Sequence, residues 1–302
     1  MFTLRQMRYF DVLATTLHFG EAAQRAGVSQ PALSVQIAEM EKAAGAPLFE
    51  RLPKAVTLTS LGRQFQPVIQ NILKEVISLD EVLQLSHEPF QGVLRLGLTP
   101  TIAPYLLPII LPAFAKQYPS LSLRVYEEKA DALIEDLSCG RIDALIGTDD
   151  LDLPENASQY LFFDPFLLAT STNKPHYTTE KVDHHNIDTS RLMLLDDRHH
   201  LRHQWLMSTK NKEYRREIVV NSLSTLVQLV ANDLGETILP MSAAQVENKD
   251  GSIKLIPFAD ESLGREIKLY WRRASRLHLE YKELGKFLAK LFVDFDHKKA
   301  TS

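Results

Sequence analysis

Residues 19–51 read FGEAAQRAGVSQPALSVQIAEMEKAAGAPLFER, and the spacing of the small, apolar and turn residues in this stretch decides how the chain begins. Ala22, Ala23 and Ala26 are small enough for close packing, so a short helix is expected over about 19–26. Gly27 stands where a helix C-terminus favours a left-handed residue. Ser29 is then an N-cap, and Pro31 falls in the first turn of the next helix, where a missing N–H costs little. That helix, expected over about 30–44, carries Leu33, Ile37, Met40 and Ala44 as its apolar stripe. With the stripe in the core, a turn of about 3.6 residues leaves Pro31, Ser34, Val35, Ala38 and Glu39 outward and Gln30 and Gln36 on the flanks.

Upstream, residues 4–17 (LRQMRYFDVLATTL) repeat apolar side chains every three or four positions and read as a supporting helix. Downstream of Gly45, residues 47–62 (PLFERLPKAVTLTSLG) have the extended, turn-containing look of a β-wing, which would bring Arg51 and Lys54 to phosphates or the minor groove. Two helices joined by a three-residue turn, the second with a small polar N-terminal face, form a helix-turn-helix. In that motif the second helix enters the major groove, where Gln and Ser can read base edges. The candidate DNA contacts are therefore Ser29, Gln30, Pro31, Ser34, Val35, Gln36, Arg51 and Lys54. On spacing alone, a small helical bundle capping an enzyme remains an alternative.

Composition narrows the classes. The chain has 302 residues, 45% hydrophobic and 24% charged, a globular mix with room for two or three domains. No apolar run reaches the roughly 20 residues that span a bilayer. The first residues lack a signal-peptide layout, so a cytoplasmic location with no membrane partner is expected. Cys139 is the single cysteine, which excludes an intramolecular disulfide and a Cys-based zinc site. The net charge of −4 weighs against nucleic acid, and residues 1–62 hold six Arg/Lys against five Asp/Glu, a net of +1. Phosphate neutralisation must then come from locally clustered Arg51, Lys54 and Arg63, doubled by dimerisation.

The opening stretch resembles the signature of LysR-type transcription regulators. Phe19, Ala22, Ala23, Ser29, Gln30, Pro31, Leu33, Ser34, Gln36, Ile37, Glu41, Gly45, Leu48, Phe49 and Arg51 fit its recurrent positions. Val35 departs from it, where Arg or another polar residue is frequent; an apolar side chain there can touch a thymine methyl but cannot donate to guanine. Residues 97–121 and 194–204 resemble the same family's effector domains, nearest to its peroxide-sensing branch. The resemblance implies a winged helix-turn-helix, a linker helix and a periplasmic-binding-protein-like effector domain of two α/β lobes, joined by crossing strands around a ligand cleft. It also implies a homotetramer (a dimer of dimers) on double-stranded DNA with a pseudo-palindromic operator, a small-molecule effector, and RNA polymerase as a further partner.

The organisation expected is a winged helix-turn-helix at 1–58, a linker and dimerisation helix at 59–88, and an effector domain at 89–302. Within the last, lobe I covers about 92–164 and 268–302, and lobe II about 165–267. In the linker, Phe65, Ile69, Ile72, Val76, Leu79 and Leu83 alternate at four and three residues, a coiled-coil seam that Pro67 should kink. After a hinge at 87–92, strands at 93–98, 121–127, 142–146, 192–195, 217–220, 237–239 and 269–272 alternate with helices at 102–118, 130–138, 200–209, 222–233 and 279–295. Alternation of this kind predicts parallel sheets with ligands collecting at strand ends and helix starts. Candidate ligand residues are Thr99, Thr101, Gly147, Thr148 and Ser222, with Asn221 and Ser224 beside the last.

No Gly-rich phosphate loop and no G-x-S-x-G elbow occurs, so neither an enzymatic activity nor a cofactor is expected. Histidines offer the alternative. His199 and His203, four apart on an expected helix with His200, Asp196 and Asp197 adjacent and His184–His185 upstream, could chelate zinc or copper. A metal- or oxidant-responsive regulator using His199, His200 and His203 is thus the second reading, beside His199 and His200 simply lining the ligand cleft. Alignment on the peroxide-sensing branch implies that His199 keeps the residue preceding the reactive cysteine. His200 takes the cysteine's place, and the partner cysteine falls at about Thr209. Thr101 matches one pocket threonine, whereas Ala130 replaces another.

Overall fold

The computed structural model describes residues 1–52, 55–84, 90–151, 153, 155–173, 177, 179–196, 200–209 and 220–293, which form two compact units, Met1–Leu83 and Gln84–Ser302. Among the described residues no helix is long and apolar enough to cross a membrane.

In the first unit, α1 (Leu4–Thr16) opens on a capping box: the Thr3 hydroxyl accepts from the Gln6 amide, and the Gln6 side chain accepts from the Thr3 amide. The short α2 (Phe19–Arg25) is capped by His18, whose Nδ1 accepts from the Glu21 amide at 3.2 Å. In α3 (Gln30–Ala44), Ser29 caps the Ala32 amide, and Gly45 closes the other end in the left-handed region at φ 73°. Leu33, Ile37 and Met40 of α3 are fully buried with Phe10, Leu13, Ala22 and Leu48. The wing is the antiparallel pair β1 (Phe49–Leu52) and β2 (Ala55–Leu58). Glu41 ties it to α3, since one carboxylate oxygen accepts from the amides of Leu48 at 2.9 Å and Phe49 at 3.1 Å.

Then α4 (Ser60–Gln84) begins hard against the wing. A Cβ at Gly62 would lie 2.2 Å from the Leu48 carbonyl oxygen, so only glycine permits this approach. The expected seam is altered here. Ile69 is buried in the core of the unit, and Phe65 packs edge-on to Phe2 with ring centroids 5.6 Å apart. Leu73, outside the heptad reading, is buried there too. The apolar residues left outward are Val68, Ile72 (37% exposed) and Leu79. The front of the heptad pattern therefore serves the chain's own core, which a one-dimensional periodicity cannot separate from a dimer seam.

The second unit opens with β3 (Gly92–Leu98), α5 (Ala103–Gln117), β4 (Leu121–Glu127), α6 (Ala130–Ser138) and β5 (Ala144–Thr148). Next comes β6 (Asn156–Ser171), followed by a 3-10 turn (His184–Asn186), β7 (Leu192–Met193), α7 (His200–Thr209) and α8 (Leu223–Ala231). It ends with β8 (Glu236–Pro240), α9 (Met241–Glu247), β9 (Ile253–Pro257), β10 (Gly264–Arg272) and α10 (His278–Leu291). The strands run in the order β4-β3-β5-β10-β6-β8-β7, with β9 also on β6.

The expectation of parallel sheets is only partly met. β3 is parallel to β4 and β5, and β7 to β8, but β10 is antiparallel to β5 and β6, and β6 is antiparallel to β8 and β9. The missed element is β6, which serves two lobes. Residues 156–165 pair with β10, and residues 166–171 pair with β8 and β9. Pro165, which has no N–H for a ladder, stands at the changeover. Separate cores lie on either side, one around Leu96, Ile146, Phe162 and Trp271, the other around Phe166, Met193, Trp205 and Leu239. Of the strand expected at 217–220, residues 217–219 lie outside the described residues, and Val220 forms a single bridge to Leu195.

Candidate functional site

On α3 the burial of Leu33, Ile37 and Met40 fixes the opposite face. Ser29, Gln30, Pro31 and Val35 are exposed, with Ser34 and Gln36 half-buried beside them. Gln36 leans away from the helix start, its amide donating to Glu39 at 2.9 Å. The guanidinium of Arg51 sits 4.7 Å from the centre of the Phe19 ring, a cation–π contact that holds the base of the wing near the start of α2. Lys54 lies outside the described residues. Arg63 donates to the Leu58 carbonyl at 2.7 Å. Among the described residues of their own unit, Gln30 and Arg51 are thus exposed, with Ser34 half-buried beside them.

Among the described residues the lobes meet through polar contacts at several places, three of which bear on the site. The first is a buried ion pair on the crossing strands, where Arg265 of β10 stands opposite Asp164 of β6. Both side chains are 1% exposed, and both Nε and Nη2 of Arg265 donate to Asp164 Oδ2, at 3.1 and 3.0 Å. The same guanidinium donates to the hydroxyl and carbonyl of Thr101 at 3.2 and 3.0 Å. Asp164 in turn accepts from the amide and hydroxyl of Ser242 in α9, at 2.9 and 2.7 Å. This network ties the start of α5 to α9 through the changeover point of β6.

The second set joins α5 to lobe II. The Tyr105 hydroxyl donates to Glu247 of α9 at 2.8 Å, and Ser224 of α8 donates to the same oxygen at 2.9 Å. Burial, and after it the bond to Glu247, push the Tyr105 hydroxyl far above its ordinary range, so it stays a donor. The third set joins the loop after β5 to α7. Asp150 Oδ1 accepts from the Thr148 hydroxyl at 2.6 Å and from the Gln204 amide at 2.7 Å, and His203 Nδ1 lies 3.7 Å from Asp150 Oδ2. Bonding to a carboxylate fixes which end of the Gln204 amide carries the hydrogens. Among the described residues its carbonyl oxygen is then buried with no hydrogen-bond partner, in a residue only 6% exposed.

Thr101 and Thr148 take part in these contacts, whereas other candidates serve local structure. The Thr99 carbonyl accepts from the amides of Ile102 and Ala103 and closes the turn into α5. Gly147 makes room for Leu151, whose Cδ1 would lie 2.4 Å from an added Cβ. Ser222 caps α8 through the Thr225 amide. His199 lies outside the described residues, and His200 is described only as the first backbone position of α7. His203 is exposed at the rim. Cys139, at the C-cap of α6, is buried.

Sequence reasoning missed Asp164, Arg265, Ser242, Gln204, Asp150, Tyr105 and Glu247. A signal existed for the ion pair: Arg265 shares strand parity with Ile267, Leu269 and Trp271, and Asp164 shares it with Phe162 and Phe166, all buried. A charge on a buried strand face demands a partner. Also missed was a cavity of about 380 Å³ within lobe II, lined by His184, His185, Ile187, Thr189, Leu192, Trp205 and Thr209.

Comparison with known proteins agrees with this architecture at both ends. Residues 4–63 match the bacterial regulatory helix-turn-helix of the lysR family, and residues 87–292 match the LysR substrate binding domain. A probable hydrogen peroxide-inducible genes activator of Streptomyces viridosporus is 37% identical over 97% of this chain and 95% of its own length. The DNA-binding transcriptional dual regulator OxyR of Escherichia coli is 31% identical, covering 97% of each chain. Among solved structures, hydrogen-peroxide-bound Corynebacterium glutamicum OxyR, a cysteine-to-serine mutant, is similar with a TM-score of 0.63 at 28% identity, covering 100% of this chain and 97% of that one. Full-length Pseudomonas aeruginosa OxyR, also a cysteine mutant, gives 0.62 at 29% identity, covering 95% and 100%. With a winged helix-turn-helix ahead of a two-lobed α/β domain and both halves matched, the chain belongs to the LysR family of DNA-binding transcription regulators, a family of regulators and not of enzymes.

Proposed function

We propose that this regulator changes its operator binding when a small, neutral hydrogen-bond donor settles between the lobes of its effector domain, with no thiol switch. The observation that carries this reading is the buried, unpartnered carbonyl of Gln204 beside Asp150. A buried acceptor without a donor carries a desolvation penalty of about 1–3 kcal/mol, which a ligand O–H or N–H would relieve. The neighbouring Asp150 carboxylate disfavours an anion. Thr101 and Thr148, which take part in the lobe contacts, and His203 beside Asp150 are the further polar groups for such a ligand, with His199 and His200 as candidates from the sequence.

At the other end, Gln30 and Ser34 read base edges, with Ser29, Pro31, Val35 and Gln36 around them, while Arg51 and Lys54 meet the backbone. The exposed stripe of Val68, Ile72 and Leu79 pairs two chains, and two such dimers assemble on a pseudo-palindromic operator in the cytoplasm, with RNA polymerase as the protein partner. Ile72→Glu places like charges across that seam and should yield monomers by light scattering. A native oligomer in this variant would remove the stripe from the dimer interface.

The relatives' names raise peroxide directly. Cys139 is the only cysteine and is buried, so one chain cannot close a disulfide. After peroxide treatment and its removal, operator affinity measured by fluorescence anisotropy should be unchanged in the native chain and in Cys139→Ser. A persistent change that reductant reverses, and that vanishes in Cys139→Ser, would overturn the proposal in favour of an intermolecular disulfide.

A further inference from the structure

The cavity of lobe II has a lining different from the residues of the lobe contacts, and that lining includes two adjacent imidazoles. His184 and His185 sit on the 3-10 turn, and their ligand nitrogens and an Asp183 carboxylate oxygen all lie within 4.8 Å of one another. Among the described residues of the second unit, this is the group whose donors come together in the way a metal ion requires. We propose that Asp183, His184 and His185 form a binding site for a divalent first-row transition metal, opening into the lobe II cavity.

The donor set suits that class. Two imidazoles and a carboxylate bind zinc and its neighbours at about 2.0–2.2 Å, and three protein ligands leave a position open. The two histidines line a space of about 380 Å³ whose lining also includes the hydroxyl-bearing Thr189 and Thr209, room enough for water or a small ligand on the metal. The turn is fixed to the fold at the residue that precedes it. Val182 donates to the Pro257 carbonyl at 2.9 Å and accepts from the Ala259 amide at 2.8 Å, in a parallel bridge with Phe258. Asp183 Oδ1 accepts from the His185 amide at 2.9 Å and lies 3.6 Å from His184 Nδ1, so the carboxylate is already aimed at the imidazoles. The His184 and His185 rings lie 3.9 Å apart at 37°, which keeps the two imidazoles side by side. Behind the site stands Trp205, packed against Phe258 at 5.1 Å. The same helix presents Gln204 to Asp150, so this site and the lobe contacts share α7 as a wall.

The test is a titration of the full-length, chelator-treated protein with Zn²⁺ by calorimetry, repeated with Cu²⁺ while its paramagnetic resonance spectrum is recorded. One ion per chain should bind, and the Cu²⁺ spectrum should carry two equatorial nitrogens. His184→Ala with His185→Ala should lower the affinity by more than the roughly 10- to 100-fold typical of losing an outer-shell partner. His203→Ala should leave it within about twofold. His185 is exposed, so His185→Ala alone, which deletes no buried side chain, should already remove one nitrogen from the spectrum. Saturable binding that survives the double substitution, binding abolished by His203→Ala instead, or no saturable binding would each overturn the site.

Discussion

The reading face of α3 and the junction between the lobes are built on opposite plans. On α3 the apolar stripe is buried in its own unit, and Gln30, Pro31 and Val35 stand outward with little holding them inside the chain. Between the lobes the polar groups bond one another: Arg265 with Asp164 and Thr101, Tyr105 with Glu247, and Thr148 and Gln204 with Asp150. A surface meant for a large, rigid, charged partner can be left open, because water satisfies it until the partner arrives. Polar atoms buried from water must be satisfied within the chain, so a buried acceptor left over at the junction, as on Gln204, is informative.

The largest effect should come from the ion pair. Removing one member of a buried pair leaves an uncompensated charge, so Asp164→Ala should lower unfolding stability by about 3–5 kcal/mol in denaturant titration. Replacing both, Asp164→Leu with Arg265→Leu, removes the stranded charge and should recover most of that loss. If the double variant is no better than the single one, the ties of Arg265 to Thr101 and of Asp164 to Ser242 outweigh the pair itself.

Next in size is the open face. Gln30→Ala should weaken specific operator binding by about 1–3 kcal/mol and leave stability and non-specific binding nearly unchanged. Equal losses on operator and random DNA would show that Gln30 does not read bases. Arg51→Ala should weaken both kinds of DNA and reduce the salt slope by about one unit if the wing neutralises a phosphate. An unchanged slope would reduce the role of Arg51 to its contact with Phe19.

The same contrast explains what could be read in the chain before its fold was known. A helix-turn-helix is local: Ser29, Pro31, Gly45 and the stripe through Leu33, Ile37 and Met40 set its turns and faces within a few residues. The junction is not. Asp164 and Arg265 are 101 residues apart, and β6 was obscured because Pro165 interrupts what is one strand with two sets of partners. The linker seam was legible only in part, for a related reason. Its heptad pattern is genuine, but Ile69 answers to the core of its own unit and Ile72 faces outward, which depends on where α4 docks through Gly62. Thr99, Gly147 and Ser222 were singled out because strand ends and helix starts are where ligands collect, yet those positions equally need turns, packing space and caps.

The smallest expected change is the sharpest test of the lobe junction. Gln204→Leu deletes one donor to Asp150, which keeps the Thr148 hydroxyl at 2.6 Å. It also deletes the buried carbonyl that has no donor, and a leucine fills nearly the same volume. Loss of a good hydrogen bond and relief of an unsatisfied acceptor are each worth on the order of 1 kcal/mol, with opposite signs. Unfolding stability should therefore shift by less than about 1 kcal/mol, against about 3–5 for Asp164→Ala at the ion pair. A residue that is buried, polar and nearly neutral to stability is one held for something other than the fold. If Gln204→Leu instead costs as much as Asp164→Ala, then Gln204 is a structural strut like the ion pair, and the ligand must be sought elsewhere in the domain.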